Sequence, residues 1–347
     1  MVASDGTAAL FRLVARGASP VVPFNQTRKG IPFYSVHALG GGAPSHEFMC
    51  KLGDDAPVFG IQAPRELFRS PGVTSVEDLA RYYVETIVAA QPRGALMLGG
   101  DSVGATIALE MAQQLRAKER EVALLVVFDG ILHNWEGVVV DFRPSFLLKW
   151  IGNVPQWLFH NIWWEDGARR SIRKVGRLLR TKNKARKLSD AARATLAGFR
   201  WRQEVRGKHG VLRALNPQAP DSQIWFSRTL WDAAEAYVPR RYDGPVMLYL
   251  ARTRPLMPSR WNLGVMVREF QIEAAWRSIC HNLSVVSAWG THATMLDGRW
   301  VGPLASDLRK RFAEVRRAHA DSDRLLVGGE VEPCPANGTA VRCAALL

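Results

Sequence analysis

One short stretch, residues 95–118, constrains the fold of this chain more than any other feature. An apolar run leads directly into Gly100-Asp101-Ser102-Val103-Gly104, and a helical pattern begins at Thr106. A serine on a tight strand-to-helix turn has a strained backbone, and glycines two residues before and after it let neighbouring backbone crowd that turn. The pattern is common by itself, but between a strand and a helix it predicts a nucleophile elbow. We therefore predict that Ser102 is a nucleophile and that Gly100 and Gly104 shape its turn.

Short apolar strands alternate with amphipathic helices on both sides of this elbow. Continuous apolar strands separated by helices are typical of a parallel sheet that is covered on both faces. The sequence therefore predicts an α/β fold with a mostly parallel sheet and helices on both faces. The predicted strands are residues 32–36, 57–61, 95–98, 122–128, 245–251 and 283–288, and the clearest helices are residues 75–90, 106–118 and 301–318.

Residues 131–235 interrupt this alternation, and we predict that they form a large helical lid insertion. They hold eight of the twelve tryptophans of the chain and show no clear strand. Within them, the basic segment (residues 166–213) has sixteen Lys or Arg side chains against three carboxylates, a net charge of +13 in a chain whose total is +14. The predicted organisation is an N-terminal extension (1–29), an α/β core in two parts (30–130 and 236–318), the lid (131–235) and a flexible tail (319–347).

A nucleophilic serine requires a general base, and His292 is the best-placed histidine of the chain. Behind an elbow of this kind the triad follows the order Ser, acid, His. His292 comes directly after the strand 283–288 and before the last helix, where the final strand would deliver a base. The other histidines downstream of Ser102 fall before that strand, in the insert or after the last helix. The sequence therefore predicts His292 as the base.

Two loops could supply the acid that orients this base. The loop after strand 245–251 reads Arg252-Thr253-Arg254 and contains no carboxylate, whereas Asp129 ends the strand 122–128 at the same sheet edge as Ser102. An Asp-Gly pair is also a frequent turn, but the missing carboxylate elsewhere favours a catalytic Asp129. Asp101 adjoins the nucleophile, and we expect its side chain to point away from the triad.

An oxyanion intermediate requires two backbone N–H groups aimed at the developing charge. One is predicted at Val103, the residue after the nucleophile. The other is predicted in the glycine-rich loop after the first strand, residues 37–42, where the backbone can approach the substrate closely. This loop lacks the GxGxxG spacing and the Lys-Ser/Thr ending of phosphate-binding loops.

Together these motifs resemble the thioesterase domains that end nonribosomal peptide and polyketide synthases, which have the α/β-hydrolase fold. The resemblance covers about residues 30–130 and 232–315. The segments that carry it are Phe33-Tyr34-Ser35-Val36-His37-Ala38-Leu39-Gly40-Gly41, Pro57 to Ala63, Leu79 to Val84, Ile107 to Ala112, Ala236-Tyr237-Val238-Pro239 and Gly290-Thr291-His292.

The resemblance implies several properties beyond those read from the residues. It places the second oxyanion donor at Leu39, and it puts the acid after the strand that follows the nucleophile helix, as Asp129 is here. It implies a lid of variable sequence, no bound cofactor, and an acyl group carried on the phosphopantetheine of a carrier protein. Ala38 replaces the usual proline of the family, and Asp101 replaces an aromatic residue or histidine, and both changes bear on substrate preference.

The composition argues against metal, disulfide and membrane-spanning classes. The four cysteines have no CxxC spacing and the eight histidines have no HExxH spacing, so we predict no metal site and no disulfide framework. The chain has no apolar run of the length that spans a bilayer, and its first twenty residues lack a continuous apolar signal region. A reduced, cytoplasmic setting is therefore the expectation.

The predicted function is that of a serine thioesterase that cleaves an acyl thioester through an acyl-serine intermediate. Because carrier domains are typically acidic, the basic lid is predicted to steer docking of an acyl or peptidyl carrier protein. One alternative is a carboxylester hydrolase or acyltransferase with the same triad. A second is that the basic, Trp-rich insert binds lipid or nucleic acid, although the triad argues against binding as the sole role. The sequence leaves four points open. These are the acyl group, the oligomeric state, the choice between hydrolysis, cyclisation and transfer, and whether the chain is free-standing or a terminal domain.

Overall fold

The centre of the molecule is a seven-stranded sheet. The computed structural model describes residues 19–27, 29–68, 75–134, 148, 151–156, 212, 218–254 and 271–327. The strands are β1 (Val21–Pro23), β2 (Phe33–Val36), β3 (Val58–Ile61), β4 (Leu96–Asp101), β5 (Val122–Phe128), β6 (Val246–Ala251) and β7 (Leu283–Ala288). Their order is β1-β3-β2-β4-β5-β6-β7. Only β1 runs antiparallel to its neighbour in this sheet.

Helices cover both faces of the sheet. They are α1 (His46–Lys51), α2 (Val76–Ala90), α3 (Val103–Ala117), α4 (Asp221–Ala236), α5 (Ile272–Ile279) and α6 (Val301–Val327), with short 3₁₀ turns at Arg65–Phe68 and Gly298–Trp300. Buried residues of α2, α3, α4 and α5 share one core cluster. Buried residues of α1 and α6 share the other. The mostly parallel sheet with helices on both faces is therefore as predicted.

The central strands show why this sheet must be covered twice. All seven residues of β5 are buried. Successive residues of a strand point to opposite faces, and accordingly Leu96 and Leu98 join the α2–α3 core whereas Met97 joins the α1–α6 core. Burial of a Leu or Met side chain contributes about 1.5–3 kcal/mol, so both faces of the sheet stabilise the position of the elbow at the end of β4.

Helix α2 begins where the sequence predicts it. The Ser75 hydroxyl accepts a hydrogen bond from the Asp78 N–H at 3.0 Å, which satisfies one of the free N–H groups of the first turn. Asp78 itself is acidic at the positive end of the helix, and it also pairs with Arg81 at 2.8 Å. The cap fixes the entry of α2 beside α3, the helix that leaves the elbow.

Helix α4 lies within the predicted lid but packs on the core. Its buried residues, Phe226 and Leu230 among them, belong to the α2–α3 cluster. The residue after the helix, Tyr237, donates a hydrogen bond at 2.9 Å to Glu110, a carboxylate that is buried in α3. Arg240 contacts the same carboxylate at 3.3 Å. These contacts attach the end of the insert to the helix that starts at the nucleophile.

Two boundaries of the predicted organisation differ from the structure. Val21–Pro23, placed by sequence in an N-terminal extension, pair with β3 as the edge strand of the sheet. Helix α6 runs to Val327 and so includes the first nine residues of the predicted tail. Most of the predicted lid, including nearly all of the basic segment, lies outside the described residues. Among those that are described, no helix is both long and apolar enough to cross a membrane.

Candidate active site

Ser102 lies on the sharp turn between β4 and α3. Its backbone has φ 56° and ψ −119°, a region that L-residues rarely adopt and that functional sites often retain. The turn is tied to the neighbouring strand, because the Ser102 N–H donates a hydrogen bond to the Phe128 carbonyl at 3.1 Å. Ser102 and Asp129 are two of the three non-glycine residues with positive φ in the described part of the chain.

The glycines of the elbow occupy positions where no side chain fits. A Cβ atom on Gly100 would overlap the backbone of Gly104, one turn further on. A Cβ atom on Gly104 would in turn overlap the backbone carbonyl groups of Val36 and His37 at the end of β2. The pattern of two glycines around Ser102 therefore has a steric cause, which is the close packing of the elbow against the loop that follows β2.

The structure brings the three predicted triad residues together. His292 Nε2 lies 3.1 Å from the Ser102 hydroxyl oxygen, across 190 residues of sequence. His292 Nδ1 lies 2.9 Å from Asp129 Oδ2. One ring nitrogen of His292 thus faces the serine and the other faces the carboxylate, which is the arrangement that lets an imidazole take a proton from a hydroxyl. Asp129 follows β5 and His292 follows β7, so the ends of three parallel strands supply the three groups.

Asp129 is fully buried and held by more than His292. Its Oδ1 accepts a hydrogen bond from the Ala251 N–H at 2.9 Å, and its Oδ2 accepts one from the Arg254 guanidinium at 2.7 Å. Burial alone would raise the pKa of this carboxyl, but the charge of Arg254 and the hydrogen bonds from His292 and Arg254 outweigh burial and lower the pKa to about 2. Asp129 is therefore ionised at neutral pH.

The two predicted oxyanion donors lie on the segments that meet at the elbow. Val103 is the first residue of α3, and Leu39 follows the His37 carbonyl that packs against Gly104. Within the described chain, neither the Val103 N–H nor the Leu39 N–H donates a hydrogen bond to another residue. Unsatisfied N–H groups at a helix N-terminus stabilise negative charge. This geometry is compatible with the predicted role of both groups.

The loop that carries Leu39 is held from two sides. His37 is buried, with Nε2 2.8 Å from the Tyr83 hydroxyl and Nδ1 2.7 Å from the Ala38 carbonyl. Burial lowers the pKa of His37 to about 4, against the smaller opposing effect of the Ala38 hydrogen bond, so the ring is neutral at pH 7. On the other side, the Gln223 side chain of α4 donates a hydrogen bond to the Gly40 carbonyl at 3.0 Å.

Asp101 makes no hydrogen bond to any member of the triad, but its charge is close to theirs. Its Oδ1 is buried and has no hydrogen-bond partner among the described residues. Burial raises the pKa of Asp101 to about 6, with the nearby charges of Asp129 and Asp297 adding to the rise and His292 opposing it. A second titratable carboxyl therefore lies beside the nucleophile.

A cleft of about 770 Å³ opens beside the glycine-rich loop. Residues of that loop, of the segment after β3 and of the start of α4 line it, among them Gly41, Gln62, Phe68 and Gln223. Polar and apolar groups share its wall, as in most small-molecule sites. No group of three or more His, Cys, Asp or Glu side chains in the described residues is arranged to hold a metal ion.

Arg254 and Asn153 are residues of this site that the sequence does not reveal. In the sequence, the loop Arg252-Thr253-Arg254 stands out only by its lack of a carboxylate, and the contact of Arg254 with Asp129 joins positions 125 residues apart. Asn153 lies in the predicted lid, where helical spacing gives no sign that it contacts the loop after β6. A signal for Arg254 does exist: a buried acid needs a partner, and an arginine stands where the alternative acid would be.

Part of the chain is similar to known thioesterase proteins. Residues 33–136, which contain Ser102 and Asp129, match the thioesterase domain family. The polyketide synthase PksR of Bacillus subtilis (strain 168) is 31% identical over 116 residues, which are 33% of this chain and 4% of that protein. A dimodular nonribosomal peptide synthase of the same organism is 32% identical over 111 residues, 32% of this chain and 5% of that protein. The chain thus matches about a twentieth of the length of these curated relatives.

The fold has counterparts among solved structures. One is the NocB thioesterase domain from the nocardicin cluster, with a TM-score of 0.51 and 20% identity over 84% of this chain and 97% of that one. The same domain in covalent complex with a fluorophosphonate nocardicin G analogue has a TM-score of 0.52. The predicted α/β-hydrolase fold class and the resemblance to synthase thioesterase domains are therefore confirmed.

Proposed function

We propose that this chain, a hydrolase of the thioesterase type, cleaves an acyl thioester through a covalent intermediate on Ser102. The observation that carries the proposal is the continuous contact from Ser102 through His292 to Asp129, with separations of 3.1 Å and 2.9 Å. The match of residues 33–136 to the thioesterase domain family supports the choice of a thioester as the bond that is cleaved.

The first half-reaction transfers the acyl group to the enzyme. His292 Nε2 takes the proton of the Ser102 hydroxyl while the oxygen attacks the thioester carbonyl. Asp129 orients the ring and stabilises the imidazolium that forms. The negative charge on the tetrahedral oxygen is bound by the N–H groups of Val103 and Leu39. His292 then protonates the leaving thiolate, and an acyl ester of Ser102 remains.

The second half-reaction repeats these steps with a new nucleophile. Water, an amine or a hydroxyl gives up its proton to His292 and attacks the Ser102 ester, and the collapse of the second oxyanion frees the serine. Water yields a carboxylic acid, whereas an amine or hydroxyl of the acyl chain or of a second molecule yields an amide or ester. We propose that part of the acyl chain lies in the cleft beside Gly40–Gly42, which adjoins the loop that carries Leu39.

The relatives support a proposal for the substrate class. Curated proteins that match part of the chain include a polyketide synthase and a nonribosomal peptide synthase. We therefore propose an acyl or peptidyl group delivered on the phosphopantetheine arm of a carrier protein, with no cofactor bound to the chain itself.

The basic segment, outside the described residues, is proposed as the docking surface for an acidic carrier. Reversing the charge of Arg169, Arg173 and Arg177 should then raise KM for a carrier-bound thioester and leave KM for a small thioester unchanged. Equal effects on both substrates would contradict this assignment.

Covalent labelling tests the nucleophile directly. A fluorophosphonate probe should add one label to the wild-type chain, detected by intact mass, and none to Ser102→Ala. Ser278→Ala, whose hydroxyl only contacts the Ala275 carbonyl of its own helix, is the matched control and should label like the wild type. A label that persists in Ser102→Ala would overturn the proposal.

Substrate preference separates the thioesterase from an ester hydrolase or acyltransferase that uses the same three groups. Turnover of a thioester should be compared with turnover of the oxygen ester of the same acyl group, and formation of free acid with transfer to an added amine. Faster turnover of the oxygen ester at equal labelling of Ser102 would replace the thioesterase with a carboxylester hydrolase.

A further inference from the structure

The carboxylate that faces His292 is shared with an arginine. Arg254, in the loop after β6, forms an ion pair with Asp129 at 2.7 Å, and its side chain is only 9% exposed while that of Asp129 is fully buried. The guanidinium binds Oδ2, which is the same oxygen that faces His292. The acid of a triad needs only to bind the imidazole. The additional contact of the Arg254 guanidinium with Asp129 Oδ2 is therefore not required by the proposed reaction.

The charge of Arg254 acts on both partners of Asp129. A cation beside a buried carboxylate favours the ionised form of that carboxylate, and it lowers the pKa of Asp129 to about 2 against the opposing effect of burial. The same cation disfavours a second positive charge on the imidazole that contacts the same oxygen. Arg254 therefore keeps Asp129 ionised and keeps His292 in the neutral form that can accept a proton.

Arg254 is itself fixed by a residue of the insert. The Asn153 side chain donates a hydrogen bond to the Arg254 carbonyl at 2.6 Å and accepts one from the Arg254 N–H at 3.0 Å. Asn153 is 6% exposed and lies in the helical stretch 151–156, 101 residues away in sequence. Such a two-point contact fixes the backbone of Arg254 as a neighbouring strand would, and it connects the predicted lid to the catalytic acid.

We propose that Arg254 is a positioning residue for Asp129 and that Asn153 holds Arg254 in place, so that the contact made by the stretch 151–156 controls the proton affinity of the triad. This inference rests on the proposed function, because it assumes that Asp129 and His292 act in catalysis. It adds to that function a route by which the insert acts on the reaction as well as on substrate choice.

Other charged groups also lie near the triad. Among the described residues, the carboxyls of Asp101 at the end of β4 and Asp129 at the end of β5 act electrostatically with His292, and Asp297 acts on Asp101. Arg252 stacks on the Trp289 ring at 4.0 Å. Arg254 is thus the cation in direct contact with the triad acid.

The pH dependence of kcat/KM for a small thioester distinguishes positioning from a merely structural role. In Arg254→Met the acid limb of the profile should move to higher pH by about one unit, because Asp129 then stabilises the protonated ring without competition. The plateau should also fall about tenfold as the carboxylate loses its fixed orientation. Arg254→Lys, which keeps the cation, should keep the acid limb of the wild type.

Asn153→Leu tests the coupling and does not remove any charge. It should shift the acid limb in the same direction by a smaller amount, and it should have little further effect in the Arg254→Met background. This variant also keeps the proposal testable if Arg254→Met does not fold. Arg240→Met is the matched control, since Arg240 contacts the buried carboxylate of Glu110 at 3.3 Å, outside the triad, and its loss should leave the acid limb in place.

The outcomes separate this inference from the proposed function. An unchanged acid limb in both Arg254→Met and Asn153→Leu, with labelling of Ser102 retained, would overturn the role of Arg254 and leave the thioesterase intact. Absence of labelling in the wild type would instead overturn the proposed function. A shift in Arg254→Met without one in Asn153→Leu would overturn the coupling to the insert.

Discussion

Gly104 packs directly against the backbone carbonyl of His37, so that the start of α3 and the end of β2 touch without an intervening side chain. The contact holds the elbow next to the loop that contains Leu39. Any side chain at position 104 must push these two segments apart, and with them the two N–H groups that we assign to the oxyanion.

Gly104→Ala should therefore impair catalysis more than stability alone explains. The added methyl group should destabilise the fold by about 1–3 kcal/mol, as overpacking does, and should lower kcat by about a hundredfold, comparable to loss of one oxyanion donor. Thermal unfolding and steady-state kinetics on a small thioester measure both effects. Gly302→Ala is the control, because a Cβ atom at that helical position meets nothing within 4 Å. Wild-type kcat in Gly104→Ala would contradict this account of the elbow.

The buried His37 predicts an acid-sensitive fold. Burial lowers its pKa from 6.5 to about 4, so below pH 6.5 the unfolded chain binds a proton that the native state does not. The free energy of unfolding is therefore not reduced by His37 above pH 6.5. It declines as the pH falls below 6.5, and the decline reaches about 2–3 kcal/mol at pH 4. His37→Gln should reduce that decline, as measured by urea unfolding between pH 7 and pH 4.5. His281→Gln, at an exposed histidine, is the control for the substitution itself.

Asp129→Asn should destabilise the protein and remove its activity. The substitution leaves the Arg254 guanidinium buried without its anion, which costs about 3–5 kcal/mol at neutral pH, and kcat/KM should fall about 10⁴-fold as the ring loses its orienting acid. Because Asp129 has its pKa lowered from 3.8 to about 2, its contribution is present above pH 4 and disappears as the pH falls through 2. The difference in unfolding free energy should shrink over that range.

A surface ion pair provides the comparison for Asp129. Asp232 lies 3.9 Å from Arg228 on α4, with both side chains about half exposed. Asp232→Asn should change stability by less than about 1 kcal/mol, with no loss of activity. If Asp129→Asn changes the free energy of unfolding as little as Asp232→Asn does, the ion pair of Asp129 with Arg254 does not stabilise the fold as a buried pair.

The site residues that can be predicted from the sequence are those with a recognisable pattern in the residues directly around them. Ser102 lies in a five-residue pattern with a steric requirement, and His292 follows a strand whose apolar character is plain. Asp129 is found because few carboxylates stand at strand ends. In each case a short stretch of chain carries the signal, and the parallel sheet brings those stretches to one edge.

Two site residues and two element boundaries were not predicted, because they depend on contacts between distant residues or on short, weak sequence patterns. Arg254 and Asn153 act through contacts that span more than a hundred residues, so residues that are neighbours in sequence do not reveal either contact. The edge strand β1 has only three residues and ends at Pro23, so it lacks the alternation that identifies longer strands. The sequence predicts the end of α6 at Ala318, whereas the helix runs to Val327. The residues that follow Ala318, His319 to Ser322, are polar or small and give no apolar periodicity that would mark a continuing helix.

The last prediction concerns Asp101, whose pKa is raised in the folded protein, whereas that of Asp129 is lowered. Burial raises its pKa from 3.8 to about 6, so between these values the native state binds a proton that the unfolded chain has released. Stability therefore falls as the pH rises from 4 to 6 and stays lower above that range. Asp101→Asn, which is neutral at every pH, should raise the free energy of unfolding by about 1–3 kcal/mol at pH 8 and give no gain at pH 4.

The same substitution should move the acid limb of kcat/KM to lower pH. Asp101 and Arg254 act on His292 with opposite charges, so removing the anion should make the ring easier to deprotonate, whereas removing the cation makes it harder. Urea unfolding at pH 4 and pH 8, with kinetics on a small thioester, measures both effects in one variant. Asp54→Asn, at an exposed carboxylate in the loop before β3, is the control for the substitution itself. A gain in stability that is equal at both pH values would mean that Asp101 acts through packing, because only a titrating carboxyl makes the gain depend on pH.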